Sequence, residues 1–423
     1  MTPVTGMLAL LVTAGCSHVM PAADRDFYAG LSKELREKGI GRPVVLIDLD
    51  RLDHNLERVM SRLRAPLHLR VVEKSLPSAQ LLNYILDKTG SRRVMVFHHP
   101  FLKTLLTALP PDTDLLFGKT IPVAGVAEFH AGLDEAQHAD AAARVQWLID
   151  SPQTLDAYLT YFKKAGRKFA ANIELDVGLH RGGPATPAEL DGLLKVLAAN
   201  RDTVTLTGLM GYDGHAFHVP VPGFMKLWAV KKTLAGIAAD YQALWDHVRA
   251  GYPELAATVR TLNGGGSSSY SLYAPDSVIT DISVGSALLM PKTYDIITLA
   301  DHKPAVFIAT PLLKKLHPAK IPYVGRISMS SDVDGYYVYG GAWAIEVEYP
   351  QGLQMHGLMS SPPNQTLVSN QAFLYGAAEP KVEPGDFVFF RPGESDNLFL
   401  FDEIHLVRGG KLVGTFRPFA SRY

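Results

Sequence analysis

VQWLIDSPQTLDAYLTYFKKAGRKFAANIELDV, residues 145–177, contains a short β-type run (145–150), a helical stretch from Pro152 to Ala165, and a second β-type run (171–177). A strand, a helix and a strand in that order form the unit of a parallel sheet, because parallel neighbours need a long crossover. The same rhythm continues on both sides. Before it lie runs at 68–72 (HLRVV), 93–97 (RVMVF) and 114–118 (DLLFG); after it lie 204–210 (VTLTGLM), 258–263 (TVRTLN) and 280–285 (TDISVG). Helical stretches separate most of them, at Ala79–Lys88, Pro100–Leu109, Val123–Ala131, Pro187–Ala199 and Met225–Val248. Eight strands alternating with helices predict an α/β fold of the (β/α)8 TIM-barrel type. An open doubly wound sheet would need a glycine-rich fingerprint after its first strand, and LDRLDHN after LID (46–48) offers none.

The flanks differ from this core. From Asp24 to Lys38 the pattern is a short amphipathic helix that stops at Gly39. The apolar segment Val44–Leu49 follows, and then Asp50, read as the N-cap of a helix with Leu52, Leu56, Val59, Met60 and Leu63 on one face. Beyond 292 helical periodicity disappears. Strand-like runs (YVGRISMSSDV, YYVYG, AIEVEYP, FVFFRP, NLFLFDEIHLV, KLVGTFRPF) lie between Gly, Pro and Asn turns, which predicts a C-terminal mostly-β domain. The expected organisation is a leader or disordered extension (1–22), an N-terminal arm (23–42), the barrel (43–292) and the β domain (293–423).

Bulk properties narrow the function. The 423 residues are 47% hydrophobic and 20% charged, with 41 basic against 42 acidic side chains and a formal net charge of -1. No long basic run appears, which argues against nucleic acid or an anionic membrane as partner. The single cysteine, Cys16, excludes an intrachain disulfide framework and a thiolate-rich metal cluster. Cys16 follows the apolar run Met7–Ala14, which is too short to span a bilayer but suits a signal-peptide core. Gly15-Cys16-Ser17 resembles a bacterial lipoprotein processing site, although no Lys or Arg stands in the first six residues. Both an exported (periplasmic or lipoprotein) and a cytoplasmic location stay open.

Barrel chemistry gathers at the carboxyl ends of the strands. Lys74 and Ser75 follow the first strand, His98 and His99 the second, Lys119 the third, and Asp150 closes the fourth. Asp176, His180 and Arg181 follow the fifth; Tyr212, Asp213 and His215 the sixth; Gly264–Tyr270 (GGGSSSY) the seventh; Gly285 and Ser286 the eighth. Consecutive glycines let backbone N–H groups converge on an anion, and a loop after strand seven is a recurring phosphate site; a plain flexible turn is the other reading. Lysine forms imines when partly desolvated, whereas most strand-end lysines are simply solvated. Lys74 and the GGGSSSY loop together suit pyridoxal 5′-phosphate (PLP), whose aldehyde is held as an imine and whose phosphate is held by amides.

These residues and their order resemble the PLP enzymes of the alanine-racemase fold (fold type III), in the branch of D-threonine aldolases and D-serine dehydratases. The resemblance covers Pro43 to the C-terminus and rests on VVLIDLDRLDHNL, Lys74, IELDVGLHRGG, LMGYDGHAFH, LNGGGSSSY and PGDFVFFRPGESDNLFLFDEIHLV. It implies that Lys74 is the imine lysine, that Arg181 lies beside the cofactor ring, and that Tyr212 is the tyrosine of the Tyr-Asp-Gly-His motif. It places Gly265, Gly266 and Ser267 in the phosphate loop and implies a homodimer. For Arg181 the competing reading is an ion pair with Asp176.

Two departures stand out. Val72 occupies a position where the family often has His, and Glu394 and Asp396 occupy the positions of the family's metal pair. Two oxygen ligands suit Mg2+ or Mn2+ better than Zn2+; a polar turn is the competing reading. The implied activity is a lyase on a β-hydroxy-D-amino acid, by retro-aldol cleavage or dehydration. A racemase is the alternative, with Lys74 and one of Tyr336, Tyr337 and Tyr339 as its bases. A non-catalytic role in PLP homeostasis is the third, against which the C-terminal domain argues. Lys292, His302, His356 and His405 receive no assignment.

Overall fold

The computed structural model describes residues 20–320, 333–355 and 370–420; Cys16 and its leader, most of the YVGRISMSSDV run and His356 lie outside the described residues. Eight parallel strands close into a barrel: His68–Val72, Arg93–Val96, Asp114–Phe117, Val145–Ile149, Phe169–Leu175, Val204–Gly211, Thr261–Gly264 and Asp281–Val284. The first and last strands pair in parallel, His68 with Asp281 and Val71 with Val284, so no edge is left open. Short apolar runs become strands here because ring and helices bury both of their faces; all seven residues of Phe169–Leu175 are buried.

Local chemistry sets the crossovers. Ser78, Ser151 and Thr186 each accept a backbone N–H at a helix start, and Thr186 forms a capping box with Glu189. Arg70 is fully buried at the floor, bridging Asp281 at 2.6 Å and Asp114 at 2.7 Å, which satisfies a charge that could not otherwise be buried. No described helix is long and apolar enough to cross a membrane.

Several sequence expectations need correction. The seventh strand starts at Thr261, because Thr258 is held in a turn by hydrogen bonds to Leu255 and Leu206. The N-cap of helix Leu49–Arg62 is Asp48, whose Oδ1 accepts from Arg51 N at 2.9 Å; Asp50 instead binds Arg408 and Gly409. On that helix Met60 is exposed, and Asn55 takes an inward position with its amide bonded to Leu288 and Lys303 carbonyls.

The apolar strand Val44–Asp48 lies not in the barrel but in the second sheet. It runs antiparallel to Val306–Leu316 and parallel to Ile404–Arg408. That sheet makes the C-terminal domain mostly strand. Val306–Leu316, which has no counterpart in the sequence reading, is its hub and pairs also with Asp334–Tyr339 and Phe387–Pro392. Within NLFLFDEIHLV only the end is strand (Ile404–Arg408); Ser395–Leu400 is a 3-10 turn. Helix Ala22–Glu37 covers this sheet with Tyr28, Leu31 and Leu35.

Candidate active site

Lys74 sits in the 3-10 turn Glu73–Ser75, directly after the first barrel strand, with its side chain in the open mouth. It makes no ion pair with any described residue; its Nζ lies 5.2 Å from the centroid of the Phe97 ring. An amine against an aromatic face and outside an ion pair is suited to nucleophilic use.

The opposite wall is the loop after the seventh strand. Gly265 has φ +67°, and a Cβ there would stand 2.9 Å from Ile282 Cγ2 and from Tyr273 Cε2. At Gly266 a Cβ would stand 3.0 Å from the Tyr212 ring. Both positions therefore exclude a side chain, and both line the cavity with backbone, as an anion cradle requires. Ser267 Oγ accepts the N–H groups of Gly285 and Ala287, each at 3.1 Å, and Ser286 Oγ meets Ser75 Oγ at 3.0 Å. Loops after strands one, seven and eight are thereby tied together.

Arg181 and Tyr212 complete the wall. The guanidinium lies 5.0 Å from the Tyr212 ring centroid, and its Nε donates to Glu174 Oε1 at 2.6 Å. Its partner is thus Glu174, not Asp176. Asp176 instead accepts from His180 Nδ1 and from the N–H groups of Gly178 and His180. Desolvation pushes the Tyr212 hydroxyl up to about 12, so it is a hydrogen-bond donor at neutral pH. Asp213 is buried and accepts from Tyr273 at 3.0 Å.

Lys74, Arg181, Tyr212, Gly265, Gly266 and Ser267 all line one cavity. Among the lining residues that the sequence reading did not single out are Phe97, Asn263 and Tyr294. Tyr294, whose hydroxyl bonds the Ser286 side chain, comes from the junction after the barrel and carries no motif. Glu73 is a further omission. It is fully buried, its Oε2 accepts from Phe97 N at 3.1 Å, and its Oε1 has no partner among the described residues. Burial pushes its carboxyl up to about 8.

Glu394 and Asp396 line the outer continuation of this cavity, together with Lys74, Tyr212 and Gly266. Glu394 Oε1 accepts from Thr293 Oγ1 at 2.9 Å. Burial and the neighbouring Asp396 raise the Glu394 carboxyl, against the Thr293 bond and Lys74, which lower it. Among the described residues no three His, Cys, Asp or Glu side chains converge, so the pair lacks the further donors of a protein-held divalent ion. Two carboxylates alone would leave most of a divalent ion's coordination to water and substrate.

Other sequence-flagged residues are engaged elsewhere. Burial, Lys119 and Lys74 push His98 down to about 4, so it is neutral. Tyr336 is buried on the C-terminal sheet and donates to Asp334; neither it, Tyr337 nor Tyr339 lines the cavity around Lys74. Lys292 pairs with Asp295 and Glu346, and His302 meets Tyr270 and Asp301. His405 lies in strand Ile404–Arg408.

With this geometry in view, a family model, "Alanine racemase, N-terminal domain", matches residues 47–292, more than half of the chain. The chain belongs to that family. Its fold family is one of PLP-dependent enzymes: aldolases, dehydratases and racemases. No curated protein matches the chain in sequence. Among solved structures it is similar to a D-threonine aldolase from Filomicrobium marinum, with 16% identity, TM-score 0.67, and 89% of this chain and 96% of that one covered. It is similar too to a D-threo-3-hydroxyaspartate dehydratase from Delftia sp. HT23 (15%, 0.64, 90% and 98%). An alanine racemase from Bacillus anthracis gives 13%, 0.66, 89% and 98%. At these identities the likeness is one of fold.

Proposed function

We propose that this protein is a PLP-dependent lyase acting on a β-hydroxy-D-amino acid, of the D-threonine aldolase or D-serine dehydratase type. The observation that carries the reading is the cavity itself: an unpaired lysine on one wall, a glycine loop on the other, and two carboxylates at its outer mouth. PLP, when bound, supplies an electron sink for the bond broken at the substrate Cα. Lys74 would hold its aldehyde carbon, and the Gly265-Gly266-Ser267 segment its phosphate. Arg181, fixed by Glu174, would keep a positive charge beside the ring, and Tyr212 would donate a hydrogen bond.

Glu394, which lines the outer mouth, would receive the proton of the substrate hydroxyl for cleavage; its raised carboxyl makes it a stronger base than an ordinary glutamate. For dehydration, Lys74 would take the proton from Cα and a protonated Glu394 would donate to the leaving hydroxyl. A racemase is the second reading, favoured by Tyr294: a tyrosine on the cavity of Lys74 offers a second proton-transfer group. Incubation of the PLP-loaded protein with D-threonine, D-serine and L-alanine decides among these. Acetaldehyde or pyruvate is the expected product; D-alanine formation without either would move the assignment to a racemase.

A further inference from the structure

The outer mouth carries a lysine and two carboxylates that form no ion pair with any described residue. Lys226, the first residue of helix Lys226–Gly251, lines it and donates to Val219 O at 2.9 Å, with no carboxylate of a described residue in ion-pair reach. Its place at a helix start adds the positive end of the backbone dipole. Glu394 and Asp396 line the same mouth and likewise make no ion pair with a described residue. Asp213 also faces this space, but it is buried and bonded to Tyr273. His218, Lys74 and the tyrosines Tyr212 and Tyr294 are the other ionisable residues lining it.

If Lys74 is engaged by the cofactor, one unpaired lysine faces two unpaired carboxylates. Every amino acid brings one carboxylate; Arg181 on the inner cavity is already paired with Glu174, so Lys226 is the unpaired lysine on this mouth that can receive it. The acidic pair then meets the side chain. An anionic side chain would meet two like charges in a partly desolvated space, whereas a hydroxyl or an ammonium would find acceptors.

We propose that Lys226 binds the substrate α-carboxylate while Glu394 and Asp396 select its side chain, so that the enzyme takes amino acids with neutral hydrogen-bond-donor or cationic side chains and turns away dicarboxylic ones. This rests on the PLP reading above and narrows its substrate class. It also separates the chain from a hydroxyaspartate-type specificity, despite the shared fold.

The test uses the PLP-loaded protein and the change in cofactor absorbance on adding D-norvaline, D-ornithine or D-glutamate, which share a chain length and differ in terminal charge. Ornithine should bind about tenfold or more tighter than norvaline, and norvaline about tenfold or more tighter than glutamate. In the Glu394→Gln, Asp396→Asn double variant the three constants should converge to within about threefold. Lys226→Met should weaken all three by a similar factor, since the α-carboxylate is common to them. Glutamate binding as tight as ornithine, or an order unaltered in the double variant, overturns the proposal. A coloured protein that responds to none of the three overturns the amino-acid reading and this inference with it; a colourless one overturns the assignment of PLP.

Discussion

Lys74 and Phe97 form a unit: the lysine Nζ stands 5.2 Å from the phenylalanine ring, and the residue preceding the lysine, Glu73, accepts the Phe97 backbone N–H. The turn that presents the amine is thus fastened to the end of the neighbouring strand through a buried carboxyl group.

That carboxyl makes stability depend on pH. Burial raises Glu73 from 4.5 to about 8 in the folded state. A raised folded-state pKa means that the native protein holds the proton more tightly, so its contribution is complete below about pH 4.5 and is lost as pH rises towards 8. Glu73→Gln, neutral at every pH, should flatten this slope and be the more stable form at pH 8.5, by roughly 1–3 kcal/mol. Denaturant midpoints of both proteins at pH 5 and 8.5 measure it; parallel pH profiles would show that Glu73 is ionised in the native state.

Borohydride treatment of the PLP-loaded protein should fix the cofactor to the peptide containing Lys74. A label on Lys119 or Lys226 would move the site. Lys74→Ala should abolish turnover with a melting temperature close to wild type, because the side chain points into a cavity and packs against little.

Gly265→Val should weaken PLP binding by about tenfold or more, since a branched residue is strained at φ +67° and its Cβ collides with Ile282 and Tyr273. Equilibrium dialysis with PLP provides the measurement, and unchanged affinity would place the phosphate elsewhere.

Arg181→Ala strips the buried Glu174 of its cation and should cost on the order of 1 kcal/mol, discounted because the arginine is partly exposed. Adding Glu174→Gln should restore most of that stability without restoring activity. Recovery of activity by the second substitution would mean that Arg181 serves only its neighbour.

Much of the barrel was legible because its strands are short apolar runs set between turn residues, as in VQWLI. Helix Glu135–Arg144 was not legible, because it has no apolar stripe; only Ala141 and Arg144 are buried. Strand Val306–Leu316 was hidden by Pro311 and by the charged Lys314-Lys315 pair at its exposed end. At the site, Lys74 and the glycine loop could be read from their places after strands. Phe97 and Tyr294 could not, since a lone aromatic residue reads as core and their approach to Lys74 arises only on folding. The pairing of Arg181 followed the same logic: two acidic residues lay within reach along the sequence, and in the folded loop Asp176 is taken by Gly178 and His180 while Glu174 meets the arginine.

Strand Val44–Asp48 has a bearing on how this protein can be dissected. Both of its hydrogen-bonding edges are supplied by segments from beyond the barrel, Val306–Leu316 and Ile404–Arg408. A gene fragment ending at 292 would leave that strand bare on both sides, and a fragment starting at 293 would lack an interior strand of its sheet. The segments on either side of the barrel are stitched into one piece of cloth, and the two parts have to be expressed and engineered together.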